Sequence, residues 1–331
     1  MSPAAIETWF TKTLGVKYPV MQGGMQWVGR AELAAAVSNA GGLGTLTALT
    51  QPTPEALREE IRKAKKLTDK PIAVNITLLP SMRPPNYESY AQAALDEGIK
   101  IFETAGNMAP ILPIIKKNGA IVIHKCVNLK HALIAQRKGV DCISIDGFEC
   151  AGHPGEDDFP GLILLSLCRQ QLKIPFIASG GFADGYGLAA ALTLGATAVN
   201  MGTRIMCTVE SPIHHKIKET IVASDEYSTT HIFRPLRNTS RVYKNSVAKE
   251  VNRIEKEKRE NLKFEDVAPL VAGTRGRTVY ENGDPDAGIW TAGLTVGLIH
   301  DIPTCQVLLE RIGSEAIEAL TTVNGLVKSK L

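Results

Sequence analysis

The first two thirds of the chain repeats one pattern of apolar and polar positions. A stretch with helical spacing is followed by a short apolar run and then by a polar or glycine-rich turn. Each run has four or five residues rich in valine and isoleucine and lacks strict polar alternation, which is typical of strands buried on both faces of a parallel sheet. The eight runs are residues 18–21, 42–46, 72–76, 101–104, 121–124, 142–145, 176–179 and 198–201.

Helices are predicted between these runs. Several helical stretches stop at a glycine, the residue that most readily takes the left-handed conformation of a helix C-cap. These glycines are Gly98, Gly119, Gly139 and Gly195. The predicted helices are residues 30–39, 54–66, 88–97, 110–117, 129–138, 162–172 and 186–194. Eight strands that alternate with helices predict a closed (β/α)8 barrel, the TIM-barrel fold of the α/β class.

The competing architecture is an open, doubly wound parallel sheet. If such a sheet bound a dinucleotide, a Gly-x-Gly-x-x-Gly turn would normally follow its first strand. The turn after the first run is Gly23-Gly24-Met25-Gln26-Trp27, which does not match. The barrel is therefore the prediction.

The pattern changes after about Ser211. Residues 213–265 lack short apolar runs and are rich in charges of both signs, so helices are predicted there, with a solvated face over 249–260. A last helix is expected over 305–328. The loop predicted before it contains Gly273, Gly276, Gly283 and Gly288.

Two regions are therefore expected along the chain. The barrel should occupy residues 1–212, and a mainly helical extension should occupy residues 213–331. We see no linker long enough to make the extension independent, so it should pack on the barrel.

Composition narrows the class of protein. The 331 residues are 44% hydrophobic and 21% charged, which is ordinary for a globular chain and excludes a disordered one. A formal net charge of +3 is too small to indicate nucleic acid or an anionic membrane as the main partner. No stretch approaches the ~20 apolar residues of a membrane span. The six cysteines form no Cys-x-x-Cys pair, so neither a metal site nor a disulfide framework is expected.

Glycines follow the seventh and eighth predicted strands. Ser179-Gly180-Gly181 ends one run, and Gly202-Thr203 follows the other. In barrel enzymes the loops after these two strands often bind a phosphate, because glycines let backbone N–H groups approach it. Either turn alone is equally consistent with a simple change of chain direction. The two together predict a phosphate site.

Other side chains at predicted strand ends suit an anionic ligand with a flat ring. Lys125 is predicted to place a cation beside an anionic cofactor or intermediate. The alternative is a lysine whose side chain only extends into solvent. Asn75 has an amide that can hydrogen-bond a heteroaromatic ring. Glu103 and Asp146 also lie at strand ends, without an assigned role.

A histidine follows the sixth predicted strand. His153 lies within residues 150–156, and it is a candidate base or substrate-orienting group because imidazole titrates near neutral pH. The alternative is a structural or exposed histidine. Arg234, Arg237 and Arg241 would share one helical stripe, which is usually solvated and less often contacts a nucleotide phosphate.

These motifs together resemble the nitronate monooxygenase-like (2-nitropropane dioxygenase-type) flavoproteins, and most closely their FMN-dependent NADH:quinone reductase group. The resemblance spans most of the chain. Its most specific part is the long stretch after the sixth predicted strand. The matching stretches are residues 19–30, 39–43, 123–126, 144–158, 177–184, 200–204 and 288–290.

The resemblance implies an FMN-binding (β/α)8 barrel with a helical extension. It also implies that NADH transfers a hydride to the flavin, which then reduces a quinone to the hydroquinone. A cation such as Lys125 would favour the negatively charged, reduced flavin. The residues that the resemblance places against FMN are Gly23, Gly24, Met25, Asn75, Lys125, Gly152, Ser179, Gly180, Gly181, Gly202 and Thr203.

The resemblance also assigns a role to His153. It matches the histidine that is catalytic in nitronate-oxidising relatives, and in a reductase it would orient the quinone or supply a proton. Two other functions stay open. One is a nitronate monooxygenase that oxidises alkyl nitronates with O2, and the other is a non-catalytic FMN-binding protein.

The sequence ends in Ser329-Lys330-Leu331, the tripeptide that the peroxisomal import receptor binds. In a eukaryotic host it predicts peroxisomal localisation, with that receptor as a partner. Otherwise the tripeptide is a chance ending, and a cytoplasmic protein is expected.

Overall fold

Eight parallel strands form the centre of the molecule. The computed structural model describes residues 5–78 and 84–327. The strands are β1 Val20–Gln22, β2 Gly44–Thr47, β3 Ile72–Leu78, β4 Ile101–Gly106, β5 Ile121–Cys126, β6 Cys142–Asp146, β7 Phe176–Ser179 and β8 Val199–Met201. They pair in the order β1-β8-β7-β6-β5-β4-β3-β2, all parallel, which confirms the predicted (β/α)8 barrel.

The sheet closes on itself between β1 and β2. Gln22 donates its N–H to the carbonyl of Leu43 at 2.9 Å, and Leu43 donates its own N–H to the carbonyl of Val20 at 2.9 Å. Closure leaves the sheet without an edge. It also brings the C-terminal ends of the eight strands to one end of the barrel, here called the upper end.

Helices surround the barrel close to where the sequence predicted them. The sequence pattern has apolar positions on one face of each helix and a glycine or polar cap at its end. This pattern therefore predicted each of these helices, with first and last residues correct to within two positions. They are α2 Ala31–Asn39, α3 Pro54–Leu67, α4 Tyr87–Asp96, α5 Leu112–Lys117, α6 Leu129–Arg137, α7 Gly161–Gln171 and α8 Gly185–Thr193, followed by a short α9 Thr203–Met206.

The lower end of the barrel is apolar and sealed. Helix α1 (Trp9–Leu14) lies across it, with Phe10 fully buried and its N–H donated to Oγ1 of Thr197 at 3.0 Å. The side chains packed together there form the lower apolar layer. They are Phe10, Leu14, Val16, Met21, Leu43, Ala73, Ile101, Ile123, Cys142, Ile177 and Ala198.

The extension contains a β-hairpin that the sequence did not predict. Strands β9 (Thr229–Ile232) and β10 (Ser240–Tyr243) pair antiparallel, between helices α10 (His215–Val222) and α11 (Ser246–Lys258). The prediction of helices throughout residues 213–265 was therefore wrong for the hairpin. Each strand has only four residues and buries few apolar side chains, so tertiary packing determines its conformation.

The glycine-rich loop was also predicted wrongly in part. Helix α12 (Ala268–Val271) precedes it, and helix α13 (Gly273–Asn282) runs through two of its glycines. A Cβ on Gly276 would lie 2.6 Å from the carbonyl oxygen of Ile289, so this glycine allows close packing within a helix. Gly283 ends α13 with a φ of 74°.

The last helix returns to the barrel. Helix α14 (Cys305–Gly325) packs so closely on α8 that a Cβ on Gly185 would lie 2.4 Å from the carbonyl oxygen of Ile312. The division of the chain at residue 212 stays a prediction. Ser329, Lys330 and Leu331 lie outside the described residues, so the peroxisomal signal also stays a prediction.

Two further observations concern the class of protein to which the chain belongs. All six cysteines are buried as free thiols. In the described part of the chain, no helix combines the length and apolar character that crossing a bilayer needs.

Candidate active site

A cavity of about 660 Å³ opens at the upper end of the barrel. Strand ends and the loops after them form its walls, where barrel enzymes place their active sites. The twelve residues assigned above to a cofactor or to catalysis all line it: Gly23, Gly24, Met25, Asn75, Lys125, Gly152, His153, Ser179, Gly180, Gly181, Gly202 and Thr203. The structure brings these residues together, while their roles stay predictions.

Two glycine turns face the cavity from neighbouring strands. After β7, Gly180 (φ 77°) and Gly181 (φ 88°) take the left-handed conformation that glycine adopts without strain. Their N–H groups donate to no acceptor among the residues that the structure describes. After β8, Gly202 precedes Thr203, whose hydroxyl accepts the N–H of Gly293 at 3.0 Å. Successive free backbone donors of this kind suit an anion.

The turn after β1 needs glycine for a different reason. A Cβ on Gly23 would lie 2.7 Å from Oδ1 of Asn200, and a Cβ on Gly24 would lie 2.2 Å from Cγ of Asn75. Side chains do not pack that closely, so these two glycines make room for the amides of Asn75 and Asn200.

A buried carboxylate lies beneath that turn. Glu103 on β4 is fully buried, and it accepts hydrogen bonds from the N–H of Gly24 at 2.9 Å, from Nδ2 of Asn75 at 2.8 Å and from Nδ2 of Asn200 at 2.9 Å. Asn200 Nδ2 also donates to Oγ of Ser144 at 3.2 Å. The buried polar side chains here form the upper polar layer. They are Gln22, Thr45, Asn75, Glu103, Ser144 and Asn200.

Lys125 brings a positive charge to this layer. It lies on β5, its side chain is 26% exposed, and its Nζ is 3.1 Å from Oδ2 of Asp146 at the end of β6. Burial disfavours the ammonium, but the carboxylates of Asp146 and Glu103 outweigh burial and raise the pKa of Lys125 above its ordinary value. Lys125 is therefore a permanent cation that faces the cavity.

His153 lies at the mouth of the cavity, on the loop between β6 and α7. Its side chain is exposed there, yet the protein around it limits hydration, and this together with the charge of Lys125 lowers the pKa of His153 below 6.5. Glu156 opposes the shift. The imidazole is therefore uncharged at neutral pH, so it can accept a proton or hold a polar substrate by a hydrogen bond.

The hairpin of the extension holds the loop that carries His153. Gly152 donates its N–H to the carbonyl of Arg241 at 3.0 Å, and Arg241 returns a bond to the carbonyl of Gly152 at 2.6 Å. The carboxylate of Glu156 accepts both the N–H and the hydroxyl of Thr239, at 2.7 and 2.6 Å. The extension thus fixes the position of a predicted catalytic residue.

The three arginines do not form a helical stripe, so that expectation was wrong. Arg241 lies on β10, with its guanidinium 4.8 Å from the ring centre of Phe148, and it donates to the carbonyl of Phe148 at 3.0 Å. Arg234 pairs with Asp158 at 2.8 Å. Arg237 lies between the two strands of the hairpin and lines the cavity.

Two carboxylates of the site had no predicted role. Glu103 lies near the end of the apolar run 101–104 and Asp146 directly follows the run 142–145, and this position was a signal. A carboxylate within a buried strand is costly unless other groups bind it, so such a residue points to donors nearby. Which donors bind Glu103 follows only from the closed barrel.

The residues present fit a flavin mononucleotide. The glycine turns offer free N–H donors for its phosphate, and a Cβ on Gly202 would meet only the side chain of Met25, with its sulfur at 3.7 Å, so the cavity wall is bare at that point. Lys125 would supply a cation for the electron-rich ring. One carboxylate oxygen of Asp146, Oδ1, is buried without a partner among the described residues, so the site still has an acceptor to satisfy.

The fold is that of a (β/α)8-barrel enzyme, and its upper cavity has a lining that suits an anionic ligand. Comparison with known sequences identifies the family. The chain belongs to the nitronate monooxygenase family, whose sequence model matches residues 7–315. It is therefore a flavin-dependent oxidoreductase of that family.

Proteins that are similar to this chain carry several names. A Rhodococcus jostii protein named (3aS,4S,5R,7aS)-5-hydroxy-7a-methyl-1-oxo-octahydro-1H-indene-4-carboxyl-CoA dehydrogenase is 31% identical over 98% of this chain and 99% of its own. A nitronate monooxygenase of Pseudomonas aeruginosa is 31% identical over 64% of this chain and 72% of its own. The solved structure of FabK from Thermotoga maritima is 32% identical, covers 97% of this chain and 100% of its own, and gives a TM-score of 0.89.

Proposed function

We propose that this protein is an FMN-dependent NADH:quinone reductase. The observation that carries the FMN part of the proposal is the shared cavity, where the cation of Lys125 and the glycine turns after β7 and β8 face one space. These are the groups that an electron-rich ring and a phosphate require. NADH as donor and a quinone as acceptor rest on the resemblance of the sequence motifs to the FMN-dependent NADH:quinone reductase group. In the overall reaction, NADH, a proton and a quinone give NAD⁺ and a hydroquinone.

Bound FMN would supply the two-electron chemistry, and the chain's own residues would bind and orient the reactants. Gly180, Gly181 and Gly202 would hold the phosphate through backbone donors. Lys125 would hold its charge beside the ring. Since the pKa of Lys125 is raised, its charge persists across the physiological pH range.

His153 would act on the electron acceptor at the mouth of the cavity. Its lowered pKa leaves it uncharged at neutral pH, so it orients a quinone oxygen by a hydrogen bond from its N–H. Proton supply from His153 would become effective only at lower pH, where the imidazole is charged.

Nitronate oxidation with O2 is the second candidate function. The observation that favours it is the match of the nitronate monooxygenase profile over residues 7–315. An uncharged His153 also suits it, since a neutral imidazole can accept a proton from a substrate.

Anaerobic mixing of the FMN-loaded protein with single donors tests the proposal. We expect NADH to bleach the flavin absorbance, and benzoquinone added afterwards to restore it. Bleaching by propyl nitronate but not by NADH would support the second candidate and refute the first. Bleaching by neither donor would refute both. A CoA thioester of a cyclic carboxylic acid belongs in the same series, because the Rhodococcus jostii relative matches over nearly its whole length.

A further inference from the structure

Glu103 does not face the cavity, although its three hydrogen-bond donors do. Gly24, Asn75 and Asn200 are among the residues that line the cavity, and among the described lining residues Glu103 is absent. Glu103 is fully buried beneath them. Besides the effect of its charge on Lys125, Glu103 can therefore act on a bound molecule only through these three hydrogen-bonded groups.

The chemistry of a carboxylate determines how the two amides are turned. An ionised carboxylate only accepts hydrogen bonds, whereas an amide has a donating end and an accepting end. Both amide nitrogens, Nδ2 of Asn75 and Nδ2 of Asn200, point at Glu103. The accepting ends must therefore point elsewhere.

Both accepting ends contact residues that line the cavity. Oδ1 of Asn75 accepts the hydroxyl of Thr77 at 3.2 Å, and Oδ1 of Asn200 lies against Gly23. Thr77 and Gly23 both line the cavity. Asn75 and Asn200 line the cavity themselves, and Glu103 accepts their amide nitrogens, so the carbonyl oxygens are the amide ends left for a ligand's N–H or hydroxyl donors.

We propose that Glu103 is a positioning residue that fixes the orientation of the Asn75 and Asn200 amides, so that the site presents acceptors to the N–H and hydroxyl donors of the flavin. This inference rests on the proposed FMN site and not on the choice of NADH, quinone or nitronate. Glu103 also sets the Gly23-Gly24 turn, since Gly24 donates to the same carboxylate oxygen as Asn75.

The Glu103→Gln variant tests the proposal with nearly unchanged shape. One carboxylate oxygen becomes an NH2 group, which then faces either Asn200 or the pair Asn75 and Gly24 across a donor–donor contact. This donor–donor contact is removed only if the amide of Asn75 or of Asn200 rotates by half a turn. The rotated amide then presents a donor where the flavin needs an acceptor. We expect the FMN dissociation constant to rise at least about tenfold, the usual effect of one mispaired buried hydrogen bond.

A second variant moves the negative charge from position 103 to position 200 and is expected to restore FMN binding. In the double variant Glu103→Gln/Asn200→Asp, the amide introduced at position 103 donates to the carboxylate introduced at position 200, and the hydroxyl of Ser144 donates to that carboxylate as well. The amide oxygen at position 103 still accepts from Gly24 and Asn75. Net charge and volume match the wild type. We expect FMN affinity to return to within about threefold of the wild type, whereas Asn200→Asp alone places two carboxylates together and binds FMN worse than either the wild type or the double variant.

The control removes a buried carboxylate far from the cavity. Glu255 on α11 is 9% exposed and accepts the N–H of Phe233. The Glu255→Gln variant should bind FMN like the wild type, so it reports the general cost of replacing a buried glutamate. Urea unfolding of each apo-protein separates loss of stability from loss of affinity.

FMN titration of the apo-proteins, followed by quenching of flavin fluorescence, decides the matter. Wild-type affinity in Glu103→Gln, or a double variant no better than the worse single variant, would overturn the proposal. A double variant that does not fold would overturn it too, because all its hydrogen bonds are paired. If Glu103→Gln alone does not fold, Asn200→Asp serves as the single variant. A wild-type protein that binds FMN without turnover refutes only the proposed function, and one that does not bind FMN refutes both.

Discussion

The two ends of the barrel are built from opposite chemistry, although the same eight strands form both. The lower apolar layer is closed by α1 and is built from apolar side chains, with the hydroxyl of Thr197 accepting the N–H of Phe10. The upper polar layer buries a carboxylate and two amides under an open cavity. On β5 the change takes two residues, from Ile123 in the lower apolar layer to Lys125 at the cavity.

The difference separates stability from function within one fold. Burial of apolar side chains stabilises the folded chain, whereas a buried polar group is tolerated only when hydrogen bonds compensate for the lost water. The lower end therefore carries folding free energy. The upper end is a hydrogen-bonded network that leaves two buried oxygens, Oγ1 of Thr45 and Oδ1 of Asp146, without a partner among the described residues. Asp146 lines the cavity, where a bound molecule can pair with it, as expected of a binding site.

The largest effect is expected at the lower end. Ile123→Ala removes a fully buried side chain and leaves a cavity, so the free energy of unfolding should fall by about 2–5 kcal/mol. FMN affinity of the folded fraction should be unchanged. Urea unfolding and FMN titration of the same preparation measure both. A large loss of affinity with little loss of stability would contradict the separation of the two ends.

On the outer face of β5, His124 should make the stability of the protein depend on pH in acid. His124 is 6% exposed and bonds Oγ1 of Thr104 at 2.7 Å, and burial, with the charges of Lys138 and His131, lowers its pKa from 6.5 to about 4. Between these values the unfolded chain binds a proton that the folded chain does not. The contribution of His124 to the free energy of unfolding is therefore fully present above pH 6.5. It is lost as the pH falls towards 4, by up to about 3 kcal/mol.

The variant His124→Asn checks this assignment, because its amide can still bond Thr104 but does not titrate. The pH dependence of unfolding between pH 4 and 7 should become shallower in the variant. An unchanged slope would assign the effect to other groups. His231, whose pKa is also lowered to about 4 by burial and by Arg241 and Arg234, is the next group to test.

At the upper end, removal of the cation should weaken cofactor binding. Lys125→Met is expected to raise the FMN dissociation constant by about 10- to 100-fold, the usual effect of losing a bond to a charged group, and to lower the flavin reduction potential. Since Asp146 then loses its partner, Lys125→Met/Asp146→Asn separates the effect of the cation from that of a lone buried carboxylate. The exposed Lys66→Met serves as control, and unchanged affinity and potential in Lys125→Met would remove the role of Lys125.

A smaller effect is expected at the glycine turn after β8. Gly202 has a φ of −100°, which alanine adopts freely, and the added Cβ makes only an ordinary contact with Met25. Gly202→Ala should therefore leave the free energy of unfolding within about 0.5 kcal/mol of the wild type and weaken FMN binding by about tenfold. If both quantities stay at wild-type values, the phosphate does not lie against Gly202.

The contrast between the regions also explains what the sequence could predict. Short apolar runs predicted all eight barrel strands, because strands that are buried on both faces are rich in apolar residues along most of their length. The turns after β7 and β8 and the lysine at the end of β5 were found because a barrel's active site lies at known strand ends. The structure then placed all twelve predicted residues around one cavity.

What the sequence missed depends on contacts between distant segments. The β9–β10 hairpin is stabilised by Glu156 and Gly152 on a loop about 80 residues earlier, so its own four-residue strands carry little signal. The orientation of Asn75 depends on Glu103, and that pairing appears only once the barrel closes. Local patterns cannot report such pairings.

Titration of the apo-protein with FMN and with riboflavin tests the central claim most directly, since the two ligands differ only in the phosphate. The account predicts FMN binding at least about a hundredfold tighter than riboflavin, a difference supplied by charge-assisted bonds from the glycine turns. It predicts that Gly202→Ala narrows this difference while Lys125→Met weakens both ligands alike. Equal affinity for FMN and riboflavin in the wild type would contradict it.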